Sequence, residues 1–186
     1  TNDTNLIAGV SLCSPVFTAL MAFGNIYGQG GSSLISRLLG QQDGEGAKRV
    51  SSFCFYIALA TGIVLAVVMT TFNRPILTLL GADAETFPHA FAYYIVLVVS
   101  APIMVLSFIH SSLVRCEGMS TESMVGTVLG AVVNIILDPI LILLAGLEIA
   151  GAAIATMVSN VLATLYFISL LVKRRNTTDI SFHPKN

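Results

Sequence analysis

Asp138 is the one acidic residue in an apolar run that reaches from Ser123 to Leu147. A lone carboxylate in such surroundings has chemistry open to it with two partners, a metal cation and a proton. About 20 apolar residues are enough to cross a bilayer core as a helix, and this run holds 25. An ionisable group at that depth costs about 3 kcal/mol on insertion scales, faces protein or water, and marks ion pathways and proton relays. Gly126, Gly130, Asn134 and Asp138 follow one another at intervals of four. On a helix that interval draws one slightly slanting stripe. Its glycine half suits close approach of another helix, and its polar half, Asn134 and Asp138, is then presented to a space between helices. A hydrogen bond made for structure alone would not need a carboxylate. Pro139 has no N–H to give the carbonyl of Ile135, so a bend and a freed oxygen are expected beside the amide and the carboxylate. An oxygen-rich setting of this kind suits a hard cation.

Two further groups of polar residues sit in apolar surroundings. Thr156, Ser159 and Asn160 share a helix face by their spacing, after a small-residue stretch that opens at Gly151. Thr hydroxyls also bond their own helix carbonyls, and Thr156 taken alone fits that role. Asn25 and Gln29, one turn apart, are candidates for a polar substrate path together with Asn160. They lie in a glycine-rich stretch, Gly24 to Gly31, which lacks the Lys-Ser/Thr of a phosphate-binding loop; close helix packing accounts for it better. His89 and His110 have no Cys, His or acidic partners at ligand spacing. Cys13, Cys54 and Cys116 are far apart and read as packing residues. No paired carboxylates, HExxH or nucleophile–base pattern stands within the apolar runs, so nothing points to an enzyme, a resident cofactor or a bound metal beyond a Na⁺ ion at Asp138.

The elements that must position these residues are set by composition. Of 186 residues, 55% are hydrophobic and 10% charged, with a mean hydropathy of +0.85. Soluble domains carry about 25% charged residues, so this chain is an integral membrane protein, and its net charge of −1 gives no hint of nucleic acid. Charge-free stretches predict five transmembrane helices, at about 14–36, 51–72, 90–113, 123–145 and 150–172, in a bundle spanning 1–175. A polar cytoplasmic tail or linker is expected over 176–186. Barrel strands would alternate apolar and polar residues, and these runs do not. Eight basic residues fall on one side of such a bundle and Arg74 alone on the other. The asymmetry predicts the Thr1 end outside and the Asn186 end in the cytoplasm. Five spans that begin outside call for one more before Thr1, so the chain reads as part of a larger polypeptide.

Several segments together resemble the MATE (multidrug and toxic compound extrusion) transporters. Gly30-Gly-Ser-Ser-Leu-Ile-Ser-Arg-Leu-Leu-Gly40, with the acidic loop after it, is similar to the family's second helix and first cytoplasmic loop. Arg115-Cys-Glu-Gly118 resembles the loop between helices four and five. Asn134-Ile-Ile-Leu-Asp138-Pro139 and Ile149-Ala-Gly-Ala-Ala-Ile-Ala-Thr156 resemble helices five and six. The resemblance covers the chain to about Arg175, and its Gly-Gly-Ser-Ser form looks most like staphylococcal-type multidrug pumps. It implies an all-α polytopic bundle supplying helices two to six of an N-terminal six-helix lobe. It also implies an antiporter of a bacterial plasma membrane that exports amphipathic or cationic organic compounds in exchange for Na⁺ or H⁺. Its other partners would be the bilayer, the missing first helix and a C-terminal lobe. Family members with a cation site in this lobe use an Asn and an Asp four apart and a Thr, which match Asn134, Asp138 and Thr156. An acid from helix one completes that site; Asp3 is expected in the loop after that helix. Asn160 stands where relatives often have Gln. Two alternatives are a lipid-linked saccharide flippase of the same superfamily and a non-transporting membrane subunit. A flippase needs basic residues to clamp pyrophosphate, and no Lys or Arg lies deep in any predicted span.

Overall fold

The computed structural model describes the backbone of residues 2–144 and 148–174 and the side chains of 8–142 and 150–174. The expected end of the fourth span at 145 and the expected tail, 176–186, lie outside the described residues. Among the described residues the chain is helical throughout, with short turns and no strand: α1 (Asn2–Gly40), α2 (Gly44–Thr71), α3 (Asn73–Leu79), α4 (Phe87–Val99), α5 (Ala101–Cys116), α6 (Ser120–Pro139), a π-helical segment (Ile140–Leu144) and α7 (Glu148–Lys173). The all-α fold is as the sequence implies. Four helical stretches are long and apolar enough to cross a membrane: Ala8–Gly40, Gly44–Thr71, Ser120–Ile142 and Ala150–Lys173. The α4–α5 pair, bent by 52°, passes the same test when taken together and makes a fifth if the pair is one span.

Local chemistry explains where the helices stop. The turn from α1 to α2 is tight: Gln42 takes φ 60°, and the Asp43 carboxylate accepts the Gly46 N–H at 2.9 Å as an N-cap. Within the third apolar stretch Pro102 cannot donate to the carbonyl of Val98, and its ring clashes with the preceding turn. The stretch therefore breaks at Ser100, whose hydroxyl bonds back to the carbonyl of Leu97 at 2.7 Å. Pro102 then stands in the first turn of α5, where a proline fits. Asp3, expected in a loop, belongs to the backbone of α1, because no residue before Pro15 interrupts the helix.

Packing is centred on α5. One core cluster joins Ile35, Ala58, Ile109, Leu113 and Phe167 from α1, α2, α5 and α7. A second joins Leu20, Leu77, Tyr94, Leu97 and Met104 from α1, α3, α4 and α5. Glycines allow α1 to lie close on α5: a Cβ at Gly24 would meet Phe108 at 3.0 Å, and one at Gly28 would meet Ser112 at 2.8 Å. The antiparallel alternation brings Arg37, Lys48, Arg115 and Arg174 to one end of the bundle, where Arg174 pairs with Glu122 at 2.8 Å.

Candidate functional site

The site is built where α6 lies on α7. Gly126 faces the rings of Phe167 and Tyr166, and a Cβ at Gly130 would rest 3.4 Å from Ala163 and 3.5 Å from the Ser159 carbonyl. This is the approach that the glycine half of the stripe predicts, and α7 is the partner. One turn beyond Gly130, the polar half of the stripe reaches the same neighbour. The Asn134 amide nitrogen lies 3.5 Å from Asp138 Oδ1 and 3.4 Å from Thr156 Oγ1. Both distances are at the long end for a hydrogen bond, so the group is close but loosely joined.

Thr156 keeps its own helix partner as well: its hydroxyl donates to the Ala152 carbonyl at 3.0 Å. Its lone pairs stay available on the side that meets Asn134. The amide of Asn160 donates to the Thr156 carbonyl at 2.8 Å, and Ser159 does likewise at 2.9 Å. Which way a side-chain amide is turned follows from its neighbours. Turned with its nitrogen inward, Asn134 bridges the Asp138 carboxylate and Thr156. Turned with its oxygen inward, it joins Asp138 and Thr156 in a set of three oxygens, which suits a hard monovalent cation. A protonated Asp138 could equally donate to the same amide oxygen. Among the described residues no group of three or more His, Cys, Asp or Glu could hold a metal ion; of the three side chains gathered here, Asp138 alone brings a charge and Asn134 and Thr156 bring neutral oxygens.

Directly after Asp138 the helix changes its winding. Pro139 ends α6 and the chain continues as a π-helix over Ile140–Leu144, with the Ile140 N–H turned to the Leu137 carbonyl. A bend is expected at Pro139; what the structure shows directly after it is this wider winding. The proline gives the carbonyl of Ile135 no N–H, and the π-helical winding begins at the next residue.

A cavity of about 480 Å³ runs along the inner face of α1, α4, α5, α6 and α7. Asn25, Gln29, Asn134, Thr156, Ser159 and Asn160 line it, so residues singled out on three helices meet in one space. Asp138 is not among the described lining residues; it is joined to the cavity through the Asn134 amide, 3.5 Å from its Oδ1. Sequence reasoning passed over Tyr93, Thr127 and the α5 stripe Ser107 and Ser111, which also line the cavity. The four-residue spacing of those serines was the available signal. Arg115 lines it too, at the last turn of α5, so one guanidinium reaches the cavity from the bundle's basic end.

Comparison with known proteins agrees with this architecture. A family model described as MatE matches residues 3–140. The multidrug export protein MepA of Staphylococcus haemolyticus (strain JCSC1435) is 39% identical over 185 residues, which is all of this chain and 40% of the relative. MepA of Staphylococcus aureus (strain NCTC 8325 / PS 47) is 40% identical over 179 residues, covering 96% of this chain and 40% of the relative. The chain thus spans about 40% of the length of these relatives. Among solved structures, a crystal structure of MATE in the bent conformation superposes with a TM-score of 0.91 at 31% identity, over 98% of this chain and 40% of that one. An inward-facing multidrug resistance MATE family transporter of the MOP superfamily gives 0.92 at 32% identity, over 97% and 41%.

Proposed function

The chain belongs to the MatE family, and on that premise we propose that it forms helices two to six of one lobe in a bacterial antiporter that exports amphipathic or cationic organic compounds in exchange for Na⁺ or H⁺. The printed names of its relatives, multidrug export proteins, support the export half. The coupling half is supported by one observation above the others: a single amide, Asn134, within 3.5 Å of both the Asp138 carboxylate and the Thr156 hydroxyl, on the wall of a polar cavity.

A carboxylate inside a low-dielectric lobe is costly when charged and unpaired, so Na⁺ or H⁺ is drawn to it. Loading removes the net charge from the α6–α7 junction. Because Asp138 adjoins the Pro139 turn, the loaded and unloaded forms favour different windings there, and the cavity wall changes with them. Asn25, Gln29 and Asn160 supply hydrogen bonds along the path of the organic substrate, and the aromatic rings of Phe17, Tyr93 and Phe108 give it apolar contact. A first helix carrying an acid and a second lobe would complete the transporter. With Arg115 as the one basic residue among the described cavity walls, a pyrophosphate clamp is poorly provided for, which favours export over lipid-linked saccharide flipping.

Drug accumulation in cells under imposed Na⁺ or H⁺ gradients tests the proposal. In the complete transporter, Asp138→Asn should insert normally and lose gradient-coupled export; full export with normal ion dependence in that variant would refute it. The orientation proposed, with the α1–α2 turn in the cytoplasm, has its own test. A cysteine placed at Gln42 should resist an impermeant reagent in intact cells, and labelling from outside would reverse the topology.

A further inference from the structure

We infer that Gly151 is a positioning residue for the coupling site, setting the gap between α6 and α7 through the π-helical turn. The inference rests on the coupling role proposed above for Asp138, Asn134 and Thr156. Gly151 lies in the first turn of α7 and is buried. A Cβ built there would stand 2.9 Å from both the carbonyl carbon and the oxygen of Leu141, and 3.1 Å from the Ile142 nitrogen. These are backbone atoms of the π-helical segment, and they cannot rotate away as a side-chain tip can. Any larger residue at 151 must push that segment off α7.

The displacement is transmitted over a short distance. Asp138 lies three residues before Leu141 on one side of the contact, and Thr156 five residues after Gly151 on the other. The Asn134 amide spans the junction at 3.4 and 3.5 Å, already at the outer limit for a hydrogen bond. A shift of a few tenths of an ångström therefore parts the oxygens of Asp138 and Thr156 from a common centre. Gly126 and Gly130, further along the same helix pair, meet side chains and a carbonyl oxygen of α7. Gly151 instead meets the backbone of the distorted turn itself, so its effect falls on the geometry of the site.

The test is cation titration of the complete transporter, reconstituted and assayed with a fluorescent lipophilic cation. Displacing a supporting group commonly costs 10- to 100-fold in ion affinity, so Gly151→Ala should raise the half-saturating Na⁺ or H⁺ concentration about tenfold, with the KM for the dye unchanged. Gly62→Ala is the comparison: its Cβ would stand 2.7 Å from the Pro102 Cα, equally tight but remote from the site. It should lower the yield of folded protein and leave ion half-saturation unmoved. If Gly151→Ala behaves like Gly62→Ala, Gly151 is a packing residue and the inference fails. Should Gly151→Ala give no folded protein, Pro139→Ala disturbs the same contact from the other side; unchanged half-saturation there would also overturn it. Asp138→Asn, run in parallel, separates the two failures. Ion dependence lost in Asp138→Asn but untouched in Gly151→Ala removes only the positioning role. Ion dependence kept in Asp138→Asn removes the coupling assignment and this inference with it.

Discussion

α5 and α6 are close in apolar content and opposite in use. α5 is enclosed: Met104, Val105, Ile109, Leu113 and Val114 are all buried, and His110 packs its ring edge-on against Phe55 at 5.8 Å. α6 buries only Ser123 and Gly126 among its residues, while Val125, Val128, Val132, Ile135 and Ile136 stay exposed. In water such a face would be a liability. In a bilayer, lipid tails are as apolar as a protein core, so a helix need not be enclosed to be stable. What holds α6 is local instead: Gly126 and Gly130 against α7, Gly151 against the π-helical turn, and the Ser123 hydroxyl donating to the Ser111 carbonyl at 2.8 Å. Within this chain, which spans about 40% of its relatives' length, the helix carrying the carboxylate is thus the less enclosed one. The coupling role proposed for Asp138 needs a site with two arrangements, and such sites are drawn from the less stable part of a fold; α5 would then supply the fixed frame.

The largest effect expected from breaking this contrast is in the frame. Ile109→Ala leaves a cavity at a fully buried position and should cost about 2 kcal/mol, at the low end for core truncations because lipid offers little transfer penalty. A clear fall in the thermal unfolding midpoint of the complete protein in detergent would register it. Next come the positions proposed to hold the ion. Asn134→Ala removes the amide that joins the two oxygens and should weaken ion coupling about tenfold, equivalent to about 1.4 kcal/mol. Thr156→Ser keeps the hydroxyl and should retain near-normal coupling in the same gradient-driven transport assay. Smallest is Ile135→Ala on the open face of α6, where the side chain is 69% exposed; its unfolding midpoint should change by no more than about 0.5 kcal/mol allows. Equal losses from Ile109→Ala and Ile135→Ala would erase the distinction between frame and mobile helix.

Much of this was legible in the residues. Charge-free runs marked the helices because a bilayer demands them, and the four-residue stripe from Gly126 to Asp138 named both the packing face and the polar group. Family resemblance, not spacing, brought Thr156 to that group, since no interval within one helix can identify a partner on another. The break at Ser100 was foreshadowed by Pro102, but a continuous apolar run hid it. The π-helical turn after Pro139 was read only as a bend, because a proline announces a lost hydrogen bond and not how the chain absorbs the loss. That Asn134 both lines the cavity and reaches Thr156 depends on how α6 is rotated against α7. Only the assembled helix pair fixes that rotation.

The central claim is that Asp138 carries the coupling ion, and ion movement measures it most directly. The complete transporter and its Asp138→Asn variant would be reconstituted into vesicles loaded with a lipophilic cation substrate. Internal pH or Na⁺ would be followed as the substrate moves down its own gradient. The account predicts ion countermovement with the native protein and none above background with Asp138→Asn, at equal amounts of folded protein. Countermovement of native size in the variant would contradict it and leave Asp138 as a packing residue.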